Sequence, residues 1–301
     1  MKILVLLSTY NGKEYLSEQI ESLLSQTFSE IGILIRDDGS TDGTRSVLAR
    51  YHENKQINCY AGDNIGFAKS MWNLIQICDN ADYYAFCDQD DIWDANKLEV
   101  AVNSLKDIDS SIPSLYCGNV RVTDFSLKNL KSSVVRQEPV DYLHALIRNH
   151  SPGCTYVFNR SALELLRRFD ANKLGIELHD WTAYQIISCF GKVIYDPVAH
   201  MSYRQHTRNA IGTHPATIKS LCKKISSFWN GSMKNSREKQ AKRLEQAYGK
   251  YMNDENRELT FCFAHYRTDR EKKLKLLRNQ KIKLGFMDKL MFKMLVLFNR
   301  L

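Results

Sequence analysis

The chain has 301 residues, of which 44% are hydrophobic and 25% are charged. This composition is that of a globular protein with a full core, and the length fits one large domain or one domain with an appendage. Eight cysteines without a Cys-x-x-Cys pair argue against a zinc ribbon or a disulfide framework and favour a reducing cytosol. No segment is long and uncharged enough to span a bilayer, and the apolar run at residues 3–7 is too short for a signal peptide.

The charge is unevenly distributed along the chain. Residues 219–301 contain 21 Lys and Arg against 8 Asp and Glu, whereas residues 1–218 contain 21 against 26. The net charge of +8 therefore divides into +13 and −5. We expect a mildly acidic catalytic body and a basic tail that meets phosphates, either of lipid headgroups or of nucleic acid.

The first 90 residues alternate apolar runs with segments of helical periodicity. Polar or acidic residues follow the apolar runs, which lie at residues 2–7, 31–35, 57–60 and 83–87. Four such β-α steps predict an α/β fold with a Rossmann-like, mostly parallel sheet flanked by helices. The first strand is not followed by Gly-x-Gly-x-x-Gly and the chain has no Walker lysine motif, so ordinary dinucleotide and P-loop sites lack support.

The fourth strand ends abruptly in three carboxylates, Asp88, Asp90 and Asp91. Carboxylates this close repel one another, and hard divalent cations prefer all-oxygen ligands of this kind. The pattern predicts Mg²⁺ or Mn²⁺ holding a diphosphate at the end of a buried strand. A second Asp-x-Asp, at Asp107 and Asp109, has no apolar strand before it and is typical of a solvated loop.

Five motifs follow one another along the first 91 residues: Ser8-Thr9-Tyr10-Asn11, Gln26-Thr27-Phe28, Asp37-Asp38-Gly39-Ser40-x-Asp42, Asn64-x-Gly66 and Asp88-Gln89-Asp90-Asp91. In this order and spacing they resemble family 2 glycosyltransferases with the GT-A fold. The resemblance covers about the first 215 residues, so we expect a nucleotide-sugar-binding catalytic domain at 1–215 and a helical basic region at 216–301. Residues 87–93, 153–155, 179–181 and 203–206 are most similar to bacterial rhamnosyltransferases, which build surface polysaccharides from a dTDP-linked sugar.

The resemblance implies roles on the donor side of the site. The positions implied to hold the nucleotide sugar are Ser8, Tyr10, Asn11, Asp38, Lys69, Asp88 and Gln89. Among them, Asp38 accepts a hydrogen bond from the base and Tyr10 offers it a flat surface, whereas Lys69 lies near the phosphates and Asp88 near the ribose. Asp90 is the implied metal ligand. The acidic segment 37–42 also fits a simple turn with a helix cap at Ser40, and we expect both.

The middle of the chain carries the implied acceptor side. An Asp at a helix start is usually a cap, but the resemblance makes Asp180 the general base that deprotonates the acceptor hydroxyl. His179 orients this base, and Gly153, Cys154 and Trp181 belong to the same side. Thr182 stands where the family often has a second aromatic residue, which affects acceptor detail rather than the chemistry.

His206 is an expected metal or diphosphate contact. It lies in a polar segment, 203–212, that we expect to fold over the nucleotide, and Arg204 and Arg208 flank it. An imidazole can complete a carboxylate-rich manganese site. A solvated loop histidine is the alternative.

The last third of the chain is predicted to be helical, with an amphipathic final segment. Its apolar residues on one side are Met287, Leu290, Met291, Met294, Leu295, Phe298 and Leu301, with basic residues toward the other. This pattern fits a helix in the membrane interface, near anionic headgroups. It fits equally a helical hairpin packed on the catalytic domain. Nucleic-acid binding is disfavoured because no recognition module is present.

We therefore expect a cytoplasmic, peripherally membrane-associated and metal-dependent inverting glycosyltransferase. It would move L-rhamnose from dTDP-rhamnose to a saccharide or lipid-linked saccharide in cell-surface polysaccharide synthesis, as in capsule formation. One alternative is a family 2 hexosyltransferase that uses a UDP-sugar. Another is a sugar-phosphate nucleotidyltransferase, although the glycine-rich, Arg-containing loop expected after its first strand is absent. A non-catalytic tethering domain does not explain the retained carboxylates.

Overall fold

The computed structural model describes residues 1–132, 137–205 and 236–301, without the side chains of 129–132. The chain forms two compact units. The first contains residues 1–136 and 149–205, and the second contains residues 137–148 and 206–301. The second unit thus takes a short segment from the middle of the chain, which the sequence pattern did not indicate.

The first unit is built on one mixed sheet. Within the described residues its strands are β1 (Ile3–Thr9), β2 (Ile31–Asp37), β3 (Asn58–Ala61), β4 (Tyr83–Cys87), β5 (Ile92–Trp93), β6 (Ser114–Thr123), β7 (Asn129–Ser132), β8 (Val157–Asn159) and β9 (Lys192–Arg204). Their order is β3-β2-β1-β4-β8-β6-β9-β5, with β7 paired to β6. The predicted strands β1 to β4 form three parallel pairs, whereas β8 runs antiparallel to both β4 and β6.

Helices cover both faces of this sheet, as expected for an α/β fold. The first eight are α1 (Leu16–Leu24), α2 (Thr44–Glu53), α3 (Phe67–Ile77), α4 (Lys97–Leu105), α5 (Tyr142–Ile147), α6 (Arg160–Arg167), α7 (Ala171–Leu174) and α8 (His179–Phe190). The short α5 belongs to the second unit. Side chains alternate along β1, and Val5 and Leu7 lie in one apolar cluster with Ile20 of α1. The other face holds Leu4 and Leu6, which are also buried.

Strand order brings three acidic or polar strand ends to one edge of the sheet. Thr9 of β1 is aligned with Asp37 of β2, and Leu7 is aligned with Cys87 of β4. Because parallel strands end at the same edge, the residues that follow β1, β2 and β4 are neighbours there. A 3₁₀ turn, Gly153–Thr155, precedes β8, and Tyr156 just after it accepts a hydrogen bond from Phe86 N of 3.1 Å. This pairing sets the turn beside the end of β4.

The second unit is helical. Besides α5, its described helices are α9 (Ser236–Tyr248), α10 (Asp254–His265), α11 (Arg270–Arg278) and α12 (Phe286–Leu297). Its core includes Leu244, Phe263 and Val296, all at most 1% exposed. Hydrogen bonds hold α5 within this unit, among them Tyr142 Oη with Thr260 Oγ1 at 2.6 Å and Lys283 N donating to an imidazole nitrogen of His144 at 3.0 Å. A helical C-terminal region is thus confirmed.

Among the helices in residues 1–132, 137–205 and 236–301, none is both long enough and apolar enough to cross a membrane.

Candidate active site

An acid cluster forms where β4 ends. One ligand atom each from Asp88, Asp91 and Cys154 lies within 4.8 Å of the other two. Asp91 is only 1% exposed; its Oδ1 accepts a 3.2 Å hydrogen bond from Arg204 N, and its buried Oδ2 has no hydrogen-bond partner among the described residues. Asp90, the predicted metal ligand, lies between the two carboxylates in sequence and is partly exposed.

The carboxylates of the cluster are destabilised as anions. Burial, followed by the charges of Asp90 and Asp180, raises the pKa of Asp88 to about 8. Burial and the charges of Asp90 and Asp88 raise the pKa of Asp91 well above its usual range. Such a pair needs a nearby cation to be ionised at neutral pH.

The donor set fits a hard divalent cation. Two carboxylates suit Mg²⁺ or Mn²⁺, and the unpartnered Oδ2 of Asp91 is an oxygen without a competing hydrogen bond from the described residues. Burial raises the pKa of the Cys154 thiol well above its usual range, and sulfur is a softer donor than the carboxylate oxygens that Mg²⁺ and Mn²⁺ prefer. Cys154, which the resemblance implied on the acceptor side, lies against these carboxylates.

A buried lysine accompanies the cluster, and the sequence interpretation missed it. Lys97, on the buried side of α4, is 1% exposed, and its ammonium lies 3.2 Å from the centroid of the Trp93 ring. Burial lowers its pKa to about 8, against the opposing effect of nearby acidic groups that include Asp91 and Asp88. Its place at a helix start is usual for a solvated lysine, and only the apolar spacing Lys97–Ala101–Leu105 signals burial.

Gln89 joins the ends of β1 and β4. Its Oε1 accepts hydrogen bonds from Thr9 Oγ1 at 2.6 Å and Tyr10 N at 3.0 Å, and its Nε2 donates to Tyr10 O at 3.3 Å. The Tyr10 side chain remains 47% exposed. Gln89 therefore fixes the backbone of a residue whose ring is open to a ligand.

Asn11 closes the turn after β1. Its φ of 49° lies in the left-handed region, which Asn tolerates better than most residues. Its N–H donates to Ser40 Oγ at 2.9 Å, and its Oδ1 accepts from Thr41 N at 2.8 Å. The Ser40 hydroxyl therefore accepts from the Asn11 backbone instead of capping a helix, and the expected helix cap at Ser40 was wrong. Helix α2 starts at Thr44, whose N–H donates to Asp42 Oδ1 at 3.0 Å.

Asp38 is the centre of a buried polar network at the end of β2. Its Oδ1 accepts from Arg36 Nη1 and from Ile65 N at 3.0 Å, and its Oδ2 accepts from Gly66 N at 3.0 Å. The same guanidinium donates to Ser70 Oγ at 2.9 Å, and that hydroxyl lies 2.5 Å from Ser8 Oγ. Asp38 thus orders the loop that leads into α3.

Lys69, the predicted phosphate contact, lies in the first turn of α3. Its side chain is exposed. Because α3 begins just after the loop held by Asp38, the position of this ammonium depends on the same network.

Asp180 lies in the first turn of α8 and is held by N–H donors. Its Oδ2 accepts from Asn149 Nδ2 at 2.8 Å and from Gly153 N at 3.1 Å, and its Oδ1 accepts from Trp181 N at 2.7 Å. A Cβ on Gly153 would lie 2.6 Å from the Asp180 Cβ, so only glycine permits this approach. Since Cys154 follows Gly153 directly, Asp180 and the acid cluster share one site.

His179 and Trp181, predicted on the acceptor side, are core residues. They are 3% and 2% exposed. The His179 ring packs edge-on against Phe67 and Phe86, with centroid distances of 4.9 and 5.1 Å. Burial lowers its pKa, so the imidazole is neutral. These side chains support Asp180 from behind, rather than lining an open surface.

Arg204 is a second residue whose place the sequence did not reveal. It was expected in a polar loop over the nucleotide, but β9 continues to Arg204 and its side chain is 3% exposed. Its Nε donates to Asp90 O at 3.0 Å, its Nη1 to Phe125 O at 2.7 Å, and its Nη2 to Glu18. Arg204 thereby fixes the backbone of the acid cluster. The predicted ligand His206 and its neighbour Arg208 lie outside the described residues.

The sequence and the architecture together define the class of protein. Residues 4–167 match the family model for glycosyl transferase family 2, and the chain belongs to this family.

Two relatives illustrate the similarity. The dTDP-rhamnosyl transferase RfbG of Shigella flexneri is 32% identical over 220 residues, which cover 69% of this chain and 74% of that protein. The Escherichia coli UDP-Glc:alpha-D-GlcNAc-diphosphoundecaprenol beta-1,3-glucosyltransferase WfgD is 28% identical over 160 residues, which cover 53% of this chain and 60% of that protein.

Solved structures agree with the fold. Staphylococcus aureus TarS 1-349 in complex with UDP superposes with a TM-score of 0.55 at 15% identity, covering 98% of this chain and 90% of that one. The mannosyltransferase PcManGT from Pyrobaculum calidifontis in complex with GDP-Man and Mn²⁺ gives 0.50 at 16% identity, covering 99% and 87%. The predicted GT-A fold is therefore confirmed.

Proposed function

We propose that this family 2 enzyme is an inverting rhamnosyltransferase of cell-surface polysaccharide synthesis. It transfers L-rhamnose from dTDP-rhamnose to a saccharide or lipid-linked saccharide acceptor. The observation that carries the proposal is the single site in which Gly153 and Cys154 join Asp180 to the acid cluster. The similarity to the Shigella rhamnosyl transferase supports the donor, and the acceptor named for the E. coli relative supports the lipid link.

The donor binds at the shared edge of β1, β2 and β4. The exposed ring of Tyr10 stacks on the base, beside the polar network of Asp38 and Ser8, while Asn11 and Gln89 hold this wall in place. One carboxylate oxygen of Asp88 accepts a hydrogen bond from the ribose, while the other belongs to the acid cluster. The ammonium of Lys69 faces the diphosphate, because an exposed cation in the first turn of α3 complements that charge.

Asp88 and Asp91 are the residues that would hold Mn²⁺ or Mg²⁺, with Asp90 and His206 as the further ligands that the sequence predicts. When bound, such an ion offsets the negative charge on the departing nucleoside diphosphate. Arg204 keeps the backbone of Asp90 in place for this task.

Asp180 takes the proton of the acceptor hydroxyl. Hydrogen bonds from Asn149 Nδ2, Gly153 N and Trp181 N to its two carboxylate oxygens fix its orientation. The acceptor oxygen attacks the anomeric carbon as its proton passes to Asp180. The bond from that carbon to the phosphate oxygen breaks, and the configuration inverts in one displacement.

A thermal-shift panel of dTDP- and UDP-sugars, with and without Mn²⁺, tests the donor. A ligand that binds only the folded protein raises its apparent stability, so dTDP-rhamnose should give the largest shift, and only with the metal. Turnover of dTDP-rhamnose by the purified protein completes the test. A larger shift and faster turnover with a UDP-sugar would favour a hexosyltransferase, the second candidate that the E. coli relative supports.

We also propose that the enzyme works at the inner face of the cell membrane as a peripheral protein and binds no nucleic acid. The free thiols suit a reducing cytosol, and a lipid-linked acceptor lies at that surface. Sedimentation of the full chain with membrane fractions, and its release by high salt, is the expected result; recovery only in the supernatant would oppose this location.

A further inference from the structure

Helix α12 has two apolar faces. Phe292, Leu295 and Val296 are buried in the second unit. A second set of apolar side chains is exposed, from 36% at Met294 to 82% at Phe286, and comprises Phe286, Met287, Leu290, Met294, Leu297 and Phe298. We call this set the apolar face. One side of the helix is therefore packed within the second unit, and the opposite side is exposed.

Basic residues border the apolar face. With 100° of rotation per residue, the side chains of the apolar face cover an arc of about 120° around the helix axis. Lys289 and Lys293 lie next to one edge of this arc. An apolar arc with lysines at its border is the pattern of helices that lie in a membrane interface. An isologous contact between two copies of this surface would instead bring like charges near each other.

A basic hollow adjoins the apolar face. A cavity of about 460 Å³ is lined by Tyr266, Arg267, Arg270, Lys273, Leu274 and Leu297, among others. Leu297 belongs to both features, so the hollow opens beside the apolar face. Lys273 Nζ donates to Leu297 O at 2.9 Å and to Asn299 Oδ1 at 3.0 Å, which fixes one cation at its wall. Within the described chain, no carboxylate is among the lining residues.

We propose that the apolar face enters the interface of a bilayer, and that the basic hollow binds the phosphate of an anionic phospholipid. This inference rests on the membrane location given under the proposed function and names the surface responsible for it. It does not depend on which sugar is transferred. Cationic side chains attract an anionic leaflet, and the adjoining apolar side chains reach the acyl boundary. The helix lies on the membrane, because it is too short to span one.

Co-sedimentation of the full chain with vesicles tests this surface. The native protein should sediment with phosphatidylglycerol/phosphatidylcholine vesicles and about tenfold less with phosphatidylcholine alone. Phe286→Ser with Leu290→Ser should lower the partition by about tenfold or more, and Arg270→Gln should lower it severalfold on anionic vesicles only.

Matched controls lie in the first unit. Ile77→Ser changes an apolar side chain that is 52% exposed, and Lys106→Gln removes an exposed charge; neither should alter the partition. Turnover of a soluble acceptor should remain unchanged in all variants, which separates this surface from catalysis.

Each unfavourable outcome has its own meaning. Absence of vesicle binding by the native protein overturns both the surface and the membrane location, while sugar transfer can still be measured. Native binding with unaltered partition of the Phe286/Leu290 variant overturns the surface alone. A third outcome is that the native protein does not bind vesicles and is a dimer, whereas the Phe286/Leu290 variant is a monomer. That result would show that a second copy of the chain, rather than a membrane, covers the apolar face. Light scattering on the same samples distinguishes these results.

Discussion

The acid cluster and Asp180 place carboxylates in opposite environments within one site. Asp88 and Asp91 are crowded, and Asp91 Oδ2 is buried without a described hydrogen-bond partner. Asp180 accepts three N–H donors. Burial and like charge disfavour the anions in the first environment unless a cation joins them, whereas the N–H donors in the second hold the carboxylate in one orientation. The same side chain can therefore serve as a metal ligand in one place and as a base in the other.

The largest effect is expected from Asp180→Asn, which keeps the shape but removes the base. Turnover should fall by about 10²- to 10⁴-fold, while the donor still raises the melting temperature. Steady-state rates and thermal shifts measure the two properties separately. Asp109→Asn, in the exposed Asp-x-Asp loop, is the control and should leave both unchanged. A near-normal rate for Asp180→Asn would show that another group takes the proton.

Gly153→Ala should be nearly as damaging, because its methyl group would lie 2.6 Å from the Asp180 Cβ. Either the turn or the carboxylate must move, and a displacement of about 1 Å can cost about 10²-fold in rate. Gly118→Ala is the matched control, since its nearest contact is an ordinary 3.4 Å to Tyr116 Oη. Equal rates for the two variants would mean that the position of Asp180 is not critical.

Arg204→Gln should act on the acid cluster without touching Asp180. Its loss leaves Asp90 O and Phe125 O without their guanidinium donor, at a cost of about 2–4 kcal/mol of stability. Mn²⁺ should also bind more weakly, as measured by calorimetry. Arg45→Gln is the comparison variant. It breaks the ion pair between Asp37 and the Arg45 side chain, which is 58% exposed, and should lower the free energy of unfolding by less than Arg204→Gln does. Unaltered Mn²⁺ affinity in folded Arg204→Gln would contradict the positioning role.

A last effect expected is a pH dependence of stability. The folded-state pKa of Asp88, about 8, exceeds its ordinary value of 3.8, so the folded protein binds more protons between these values. The free energy of unfolding should therefore decline as pH rises from 5 to 8 in chelator, and Mn²⁺ should reduce this decline. Denaturant titrations of native protein and Asp88→Asn at both pH values measure it. An equal slope in the variant would remove Asp88 as the cause.

The sequence predicted the parallel strands β1 to β4 and the carboxylates after β4, because apolar periodicity and turn residues are local signals. Local signals failed where the partner is distant. Arg204 forms an ion pair with Glu18, 186 positions away, and only the spacing of Lys97 with Ala101 and Leu105 marks this lysine as buried. Ser40 was assigned to the wrong partner for the same reason, since Asn11 lies 29 positions away.

By itself, the sequence determined the family and the α/β class, because motif order and hydrophobic spacing carry that information. Only the tertiary structure decided which carboxylates meet a thiol, which helix face stays exposed and which cations are buried. It also assigned α5 to the helical unit, through Tyr142 and His144. These outcomes depend on packing between segments far apart in the chain, and burial there sets both the charge state and the accessibility of each side chain.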